Sequence, residues 1–305
     1  MKLKYFLFSI WVLLSPVLPG QIIPHHAESL EIPLIHPKDQ IIRHLAYTLA
    51  YDEAHEQASW VAYELTAEET TGPSERASAF YEDPLVATGS ASNEDYSGSG
   101  YDRGHLAPAG DMTWSPVAMR ESFYYSNMSP QAPSFNRGIW KKLETQVRTW
   151  AQVYDVVQIV TGPVLSGELH SIGINNVSVP SLYYKVILDH QGPELKAIGF
   201  VMANAPSSMP LQSFAVTIDQ VEKLTGIDFF PVLPDEEEEF LESHVNTDAW
   251  DWQVHSSAGE SSIESSSDHQ QHNLTTTVQC IALTKKGLRC RNRTTNPSGR
   301  CYLHE

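Results

Sequence analysis

The chain has 305 residues and 41% of them are hydrophobic, which is enough for one large packed domain or two small ones. Its 37 acidic and 20 basic residues give a net charge of −17, which excludes a surface that is basic throughout. No long apolar run follows the N-terminus, which argues against a membrane protein with several spans.

Residues 1–20 have the layout of a secretory signal peptide. Lys2 and Lys4 precede an apolar run from Tyr5 to Leu14, and two prolines then lead to Gly20. The apolar run is too short to span a bilayer comfortably. We therefore predict cleavage near Gly20 and a secreted or periplasmic protein, with an uncleaved anchor as the alternative.

Residues 21–44 are predicted to form an irregular lead-in segment before a domain that spans 45–253. The runs Tyr47–Leu49 and Trp60–Leu65 predict its first two strands, since the second partly alternates in polarity. Residues 87–100 are rich in Ser, Gly and Asn, and they predict a loop.

The stretch after this loop, Tyr101–Asp111, reads Tyr-Asp-Arg-Gly-His-Leu-Ala-Pro-Ala-Gly-Asp. His105 has the side chain best suited to act as a general base near neutral pH. On an extended segment Arg103 projects to the same side as His105, and Gly104 between them lets backbone or substrate come close. A base beside a permanent cation indicates attack on an anionic centre such as a phosphodiester.

A second stretch, Tyr125–Arg148, predicts a helix that begins near Phe135 with Ser134 as its N-cap. Four of its residues recur every fourth position, so they form a row that drifts slowly around the helix. The row consists of Asn136, Trp140, Glu144 and Arg148. An amide oxygen and a carboxylate two turns apart can both face a hard cation such as Mg²⁺.

Together, the Asp102–His105 run, the Ser126–Gln131 run (Ser-Asn-Met-Ser-Pro-Gln) and the segment from Asn136 to Glu144 resemble the DNA/RNA non-specific endonucleases. This endonuclease G-like family has a ββα-metal active site, and the resemblance covers about residues 45–242. It implies His105 as general base, Asn136 as the protein ligand of Mg²⁺ or Mn²⁺, and Glu144 as the residue that orders the metal's water. It further implies phosphate contacts from Arg103, Arg148 and Arg76, and a supporting, substrate-binding role for Asn127.

Each motif also has a simpler interpretation. The Asp102–His105 run alone could be a turn with a surface salt bridge, and Glu144 with Arg148 could be an exposed helical ion pair. Their occurrence in order, joined by a loop with two prolines, favours the nuclease.

Further along the chain, three β-branched or aromatic runs predict strands: Val156–Val160, Leu182–Leu188 and Ala197–Met202. Thr217–Thr225, followed by Gly226, predicts a helix with a C-terminal stop. The predicted fold class is therefore α+β, with a mixed or antiparallel sheet core and the catalytic helix lying across it.

Residues 254–278 are dominated by Ser, His and Gln and predict a flexible linker. The tail, 279–305, holds all three cysteines of the chain in a C-x9-C-x10-C-x2-H pattern that resembles a small Cys3His zinc knuckle. Its candidate zinc ligands are Cys280, Cys290, Cys301 and His304. One disulfide with a free thiol is the alternative, because an exported protein meets oxidising conditions.

The resulting hypothesis is an exported Mg²⁺-dependent endonuclease that acts on DNA and RNA with little sequence preference and leaves 5′-phosphate ends. After signal cleavage no stable membrane association is expected, and a homodimer is compatible with the prediction. Two alternatives stay open: a phosphodiesterase for another anionic polymer, and a secreted nucleic-acid-binding protein with a vestigial catalytic domain. The basic residues of the predicted catalytic helix, Arg137, Lys141, Lys142 and Arg148, would form a local patch on an acidic protein.

Overall fold

The computed structural model describes residues 29–191 and 195–252, together with two short strands in the tail. The predicted signal peptide lies outside the described residues. So do the predicted linker and tail, apart from those two strands, and with them Cys280, Cys290, Cys301 and His304. None of the helices that the structure describes is long and apolar enough to cross a membrane.

Strands are numbered in chain order. They are β1 (Gln40–Arg43), β2 (Thr48–Asp52), β3 (Gln57–Thr66), β4 (Asp102–His105), β5 (Met128–Gln131), β6 (Val156–Pro163), β7 (Ser171–Ile172), β8 (Val177–Ser178), β9 (Leu182–Asp189), β10 (Lys196–Ala203), β11 (Ala215–Val216), β12 (Val278–Gln279) and β13 (Arg293–Thr294). Seven of them form one sheet in the order β1-β2-β3-β6-β9-β10-β11, and every pairing in it is antiparallel. The remaining strands form three separate antiparallel pairs, β4 with β5, β7 with β8, and β12 with β13.

The helices are α1 (Asn93–Tyr96), α2 (Pro116–Glu121), α3 (Pro133–Phe135), α4 (Lys141–Tyr154), α5 (Ile218–Thr225) and α6 (Asp235–Ser243). A wider, π-type turn, Asn136–Trp140, joins α3 to α4. Gly138 within this turn has φ −106° and ψ −111°, outside the helical region.

The sheet separates two hydrophobic cores, because alternate residues of its strands face opposite sides. On β3, Val61 and Tyr63 face one core, whereas Trp60 and Ala62 face the other. The first core holds the apolar face of α4, and the second holds α5, α6 and the segment that contains Phe229. The catalytic helix and the C-terminal helices therefore lie on opposite faces of the sheet.

Helix α4 is held on the sheet by apolar side chains at helical spacing, among them Leu143, Val147 and Trp150. Burial of one such side chain contributes roughly 1.5–3 kcal/mol of hydrophobic free energy. Residues 247–252 pack on the same helix, since the Trp150 and Trp250 ring centroids are 4.4 Å apart. This segment therefore completes the first core.

The strand pair β4–β5 stands outside the main sheet and carries the first motif. Its register sets Gly104 opposite Ser129 and His105 opposite Met128. Because β5 leads through α3 into α4, the two strands and the helix form the ββα unit that the resemblance implies.

The predicted strands and the predicted helix at α5 are confirmed, with Gly226 at φ 73° as the C-terminal cap. Two predicted segments differ from the structure. β1 lies inside the predicted lead-in, and buried Ile32 extends the packed domain upstream of residue 45, because these residues complete the sheet edge and the second core. The predicted loop contains α1, which Ser92 and Asp95 stabilise as a capping box.

Ser134 is not the N-cap of the catalytic helix. The helical segment begins at Pro133, with Ala132 in the capping position. Proline suits the first helical position because its fixed φ is helical and its missing N–H would have no partner there. Ser134 therefore lies within the first turn.

Candidate active site

A cleft of about 600 Å³ opens between the β4–β5 pair and the start of α4. Its lining residues are Arg76, Arg103, His105, Pro108, Ala109, Gly110, Asn136, Arg137, Lys141, Glu144 and Arg148. Five of the eleven carry a permanent or near-permanent positive charge, and one carries a carboxylate. The cleft is therefore suited to an anionic ligand.

His105 is buried at the end of β4, where the edge of its ring meets Phe123 at a centroid distance of 4.8 Å. Its Nε2 has no hydrogen-bond partner in the described part of the chain. Burial, and secondarily the charge of Arg76, lowers the pKa of His105 from 6.5 to about 3. The imidazole is therefore neutral at physiological pH, with one ring nitrogen unprotonated.

Arg103 is oriented by neutral groups. Its Nε donates to the Tyr125 hydroxyl at 3.0 Å, and its Nη2 donates to Oδ1 of Asn93 at the start of α1. The guanidinium also lies 5.4 Å from the centroid of the Phe80 ring. Because these partners carry no negative charge, the arginine keeps its charge for a ligand in the cleft.

Asn136 is oriented by Asp102, the first residue of β4. Its Nδ2 donates to Asp102 Oδ2 at 2.9 Å, and Arg137 Nε donates to the same oxygen at 2.8 Å. Burial opposes ionisation of Asp102, but the hydrogen bonds from Arg137 and Asn136 outweigh it and lower the pKa of that carboxyl. Because the Asn136 nitrogen is engaged, its oxygen is the atom available to a cation.

Glu144 and Arg148 lie one turn apart on α4, beside a buried carboxylate. Arg148 Nη1 donates to Asp111 Oδ1, and the Tyr63 hydroxyl donates to Asp111 Oδ2 at 2.8 Å. Burial raises the pKa of Glu144 to about 7, although the charges of Lys185 and Arg148 oppose this. Asp111 therefore holds Arg148 in place from beneath the cleft.

Lys185 is a buried cation behind this wall of the cleft. It lies on β9 with 1% of its surface exposed, and its Nζ is 5.0 Å from the centroid of the Trp140 ring. Within the described residues its Nζ has no hydrogen-bond partner. Burial lowers its pKa to about 8, and the charges of Glu144 and Asp111 oppose the shift.

The predicted row along the helix is only partly correct. Asn136 and Glu144 line the cleft together, but Trp140 between them is fully buried in the core. The reason is the π-type turn, which changes the angular step between these residues relative to a regular helix. The turn at Gly138 is thus what leaves Asn136 on the cleft side.

Asn127 does not line the cleft, so its position fits the supporting role that the resemblance implies rather than a direct contact with substrate. It is fully buried, and its Oδ1 accepts from Ala107 N at 2.9 Å. Its Nδ2 donates to the carbonyl oxygens of Ala107 and Ser122 at 2.9 and 2.8 Å. A buried amide with three backbone partners supports the turn after His105.

The structure brings the six other predicted residues of the nuclease site into one cleft: Arg76, Arg103, His105, Asn136, Glu144 and Arg148. Sequence analysis missed the roles of Asp102, Asp111 and Lys185. The two aspartates begin and end the first strand and turn of the motif, so their position was a usable signal. Lys185 lies between the core residues Tyr183 and Ile187 on one face of β9. A lysine on an apolar strand face was a second usable signal.

Comparison with known proteins agrees with this geometry. Residues 31–236 match the DNA/RNA non-specific endonuclease family. Mitochondrial endonuclease G of Bos taurus is 38% identical over 207 residues, which is 63% of this chain and 69% of that protein. Nuclease C1 of Cunninghamella echinulata var. echinulata is 39% identical over 205 residues, covering 62% of this chain and 81% of the nuclease.

Among solved structures, the crystal structure of the EndoG/EndoGI complex, which describes a mechanism of EndoG inhibition, is similar to this fold. The TM-score is 0.63 at 33% sequence identity, and the match covers 67% of this chain and 89% of that one. The similarity therefore extends over about two thirds of the chain rather than over the motifs alone.

Proposed function

Since the chain belongs to the DNA/RNA non-specific endonuclease family, we propose that it is an exported, Mg²⁺-dependent endonuclease that hydrolyses DNA and RNA with little sequence preference. The observation that carries the proposal is the composition of the cleft. The cleft is lined by a neutral histidine, several arginines and two oxygen-bearing side chains, and its volume is suited to one nucleotide.

The oxygens of Asn136 and Glu144 fit a hard divalent cation. Mg²⁺ and Mn²⁺ prefer amide, carboxylate and water oxygens, and the Asn136 nitrogen is turned away to Asp102. In this assignment Asn136 is the direct protein ligand, and Glu144 orders the water around the ion. When bound there, the ion would stabilise the negative charge that develops on the leaving 3′-oxygen.

His105 takes the proton of the water that attacks phosphorus, because the imidazole is neutral and its Nε2 has no partner among the described residues. As the bond from water to phosphorus forms, the bond to the 3′-oxygen breaks. The 3′-oxygen takes up a proton from solvent water, and the phosphate stays on the 5′-oxygen of the next nucleotide. Arg103 and Arg148 bind the phosphate and share its charge, with Arg76 as a further contact.

Digestion of plasmid DNA and of RNA, with and without EDTA, tests the reaction. We expect both substrates to be cleaved only with the metal, and labelling of the product ends should find 5′-phosphates. His105→Ala should lower kcat by about 10²–10⁴-fold with little change in KM, which is the usual contribution of a positioned base. Near-wild-type turnover of that variant with saturating Mg²⁺ would contradict the role of His105.

Export and the zinc tail are separate parts of the proposal. The apolar run Tyr5–Leu14 after Lys2 and Lys4 supports export, and N-terminal sequencing of the mature protein tests it. The tail spacing supports one zinc per chain on Cys280, Cys290, Cys301 and His304. Metal analysis tests this, and one intramolecular disulfide without zinc would contradict it.

A further inference from the structure

A second groove, of about 470 Å³, runs along the outer face of α4 and meets the catalytic cleft. The two share Arg137 and Lys141. The other residues of the groove are Gly138, Lys142, Thr145, Gln146, Thr149 and Leu211. A ligand that leaves the cleft across Arg137 and Lys141 therefore enters this groove directly.

The rim and the floor of the groove differ in chemistry. Arg137, Lys141 and Lys142 are exposed at the rim, whereas Leu211 and the bare backbone of Gly138 lie on a largely apolar floor. A Cβ built on Gly138 would meet no atom within 4 Å, so the floor is open at this point. Cations beside an apolar platform match a single nucleotide, whose phosphate is charged and whose base has an apolar face.

The charge of this face contrasts with that of the whole protein. The net charge of the chain is −17, and α6 on the opposite face of the sheet begins with five consecutive acidic residues. Arg137 is paired with Asp102, but neither Lys141 nor Lys142 is in an ion pair with a described residue. A polyanion is therefore repelled by most of the surface and attracted to this helix.

On the basis of the proposed nuclease function, we propose that this groove is a subsite for one nucleotide of the substrate strand next to the scissile phosphate. The base lies on Leu211 and Gly138, and the phosphate lies at Lys142. Because only an unpaired base can reach such a floor, the subsite favours substrates whose flanking nucleotide is single-stranded.

The subsite is tested with oligonucleotides that contain one natural phosphodiester linkage. All their other linkages are phosphorothioates, which keep the charge and resist hydrolysis. Flanks of zero to four nucleotides are placed on either side of the cleavable linkage. For the full-length protein with Mg²⁺, flanks on one side of the linkage should lower KM by about three- to tenfold, and flanks on the other side should leave KM nearly unchanged. An abasic flank should lose part of this gain.

Lys142→Glu should reduce the KM ratio between unflanked and flanked substrates to nearly one. The matched control is Lys223→Glu, which makes the same charge change at an exposed position of α5, on the opposite face of the sheet. It should keep the wild-type ratio. Urea unfolding of both variants checks that neither has lost its fold.

Four results would overturn the subsite. A KM that is independent of flank length would show that no flanking nucleotide is bound. An equal effect of the two substitutions would show that only general electrostatics acts here. An abasic flank as effective as a normal one would remove the base from the apolar floor. Absence of metal-dependent cleavage of plasmid DNA, RNA and every oligonucleotide would refute the nuclease function itself, and the subsite with it.

Discussion

Gly104→Ala should weaken both the fold and the active site, and Gln131 is the reason. The nearest atoms to a Cβ built on Gly104 are Gln131 Cδ, Oε1 and Cγ, at 2.2, 2.3 and 2.4 Å. Gln131 is fully buried on β5, two residues along the strand from Ser129, the register partner of Gly104. The glycine between Arg103 and His105 therefore makes room for a side chain of the protein itself.

The size of the effect follows from these distances. Carbon atoms pack best at about 3.5–4.0 Å, so the Gln131 side chain or the strand must move by more than about 1 Å. Overpacking of this kind costs about 1–3 kcal/mol, and the lower entropy of unfolded alanine returns about 0.4–1 kcal/mol. A net loss of about 1–2 kcal/mol corresponds to a fall in Tm of roughly 3–8 °C. Displacement of His105 by about 1 Å could lower kcat/KM by ~10²-fold.

A double-mutant cycle identifies the cause. Gln131→Ala removes all three clashing atoms, and it costs little polar energy because Nε2 and Oε1 of Gln131 have no partner among the described residues. The double variant should be more stable to urea than Gly104→Ala alone, with a coupling energy of at least about 1 kcal/mol. Its kcat/KM should recover in parallel. A coupling energy near zero, or wild-type stability and activity in Gly104→Ala, would refute the reasoning.

Three further predictions test the metal ligand, the buried lysine and the buried base. Asn136→Ala should raise the Mg²⁺ concentration needed for half-maximal activity, whereas Glu144→Gln should have a smaller effect because it acts through water; equal titration curves for Asn136→Ala and the parent would reject the ligand. Lys185→Met keeps the packing on Trp140 but removes a cation near Glu144, so the pKa of Glu144 should rise and kcat at pH 7 should fall about tenfold per pKa unit. An unchanged kcat–pH profile, with urea stability within about 1.5 kcal/mol of wild type, would show Lys185 to be structural only. The pKa of His105 is about 3 in the folded protein and 6.5 in the unfolded chain, so its contribution to stability is complete above pH 6.5 and is lost as the pH falls towards 3, by up to about 1.4 kcal/mol per pH unit. Urea unfolding at pH 7, 6 and 5 should show this slope in the wild type and a smaller one in His105→Gln, and equal slopes would contradict the buried, neutral histidine.

Several features of this protein are determined by short-range patterns. The alternation in β3 and the helical spacing in α4 reflect which face of each element is apolar, and this can be read without the fold. Gly226 ends α5 because glycine readily adopts the positive φ found there. Arg103 and His105 share one strand of four residues, so their proximity was also predictable.

Other features required the tertiary structure, because they depend on residues far apart in the chain. Lys185 comes near Glu144 only when β9 takes its place under α4, and Asp111 meets Arg148 across 37 positions. Gln131 meets Gly104 through the register of β4 and β5, and that pairing also leaves Asn127 buried. The π-type turn at Gly138 is a local irregularity that helical periodicity could not reveal, yet it decides that Asn136 faces the cleft while Trp140 enters the core. Local composition therefore supplied the reactive groups, and long-range packing determined their orientation, charge and accessibility.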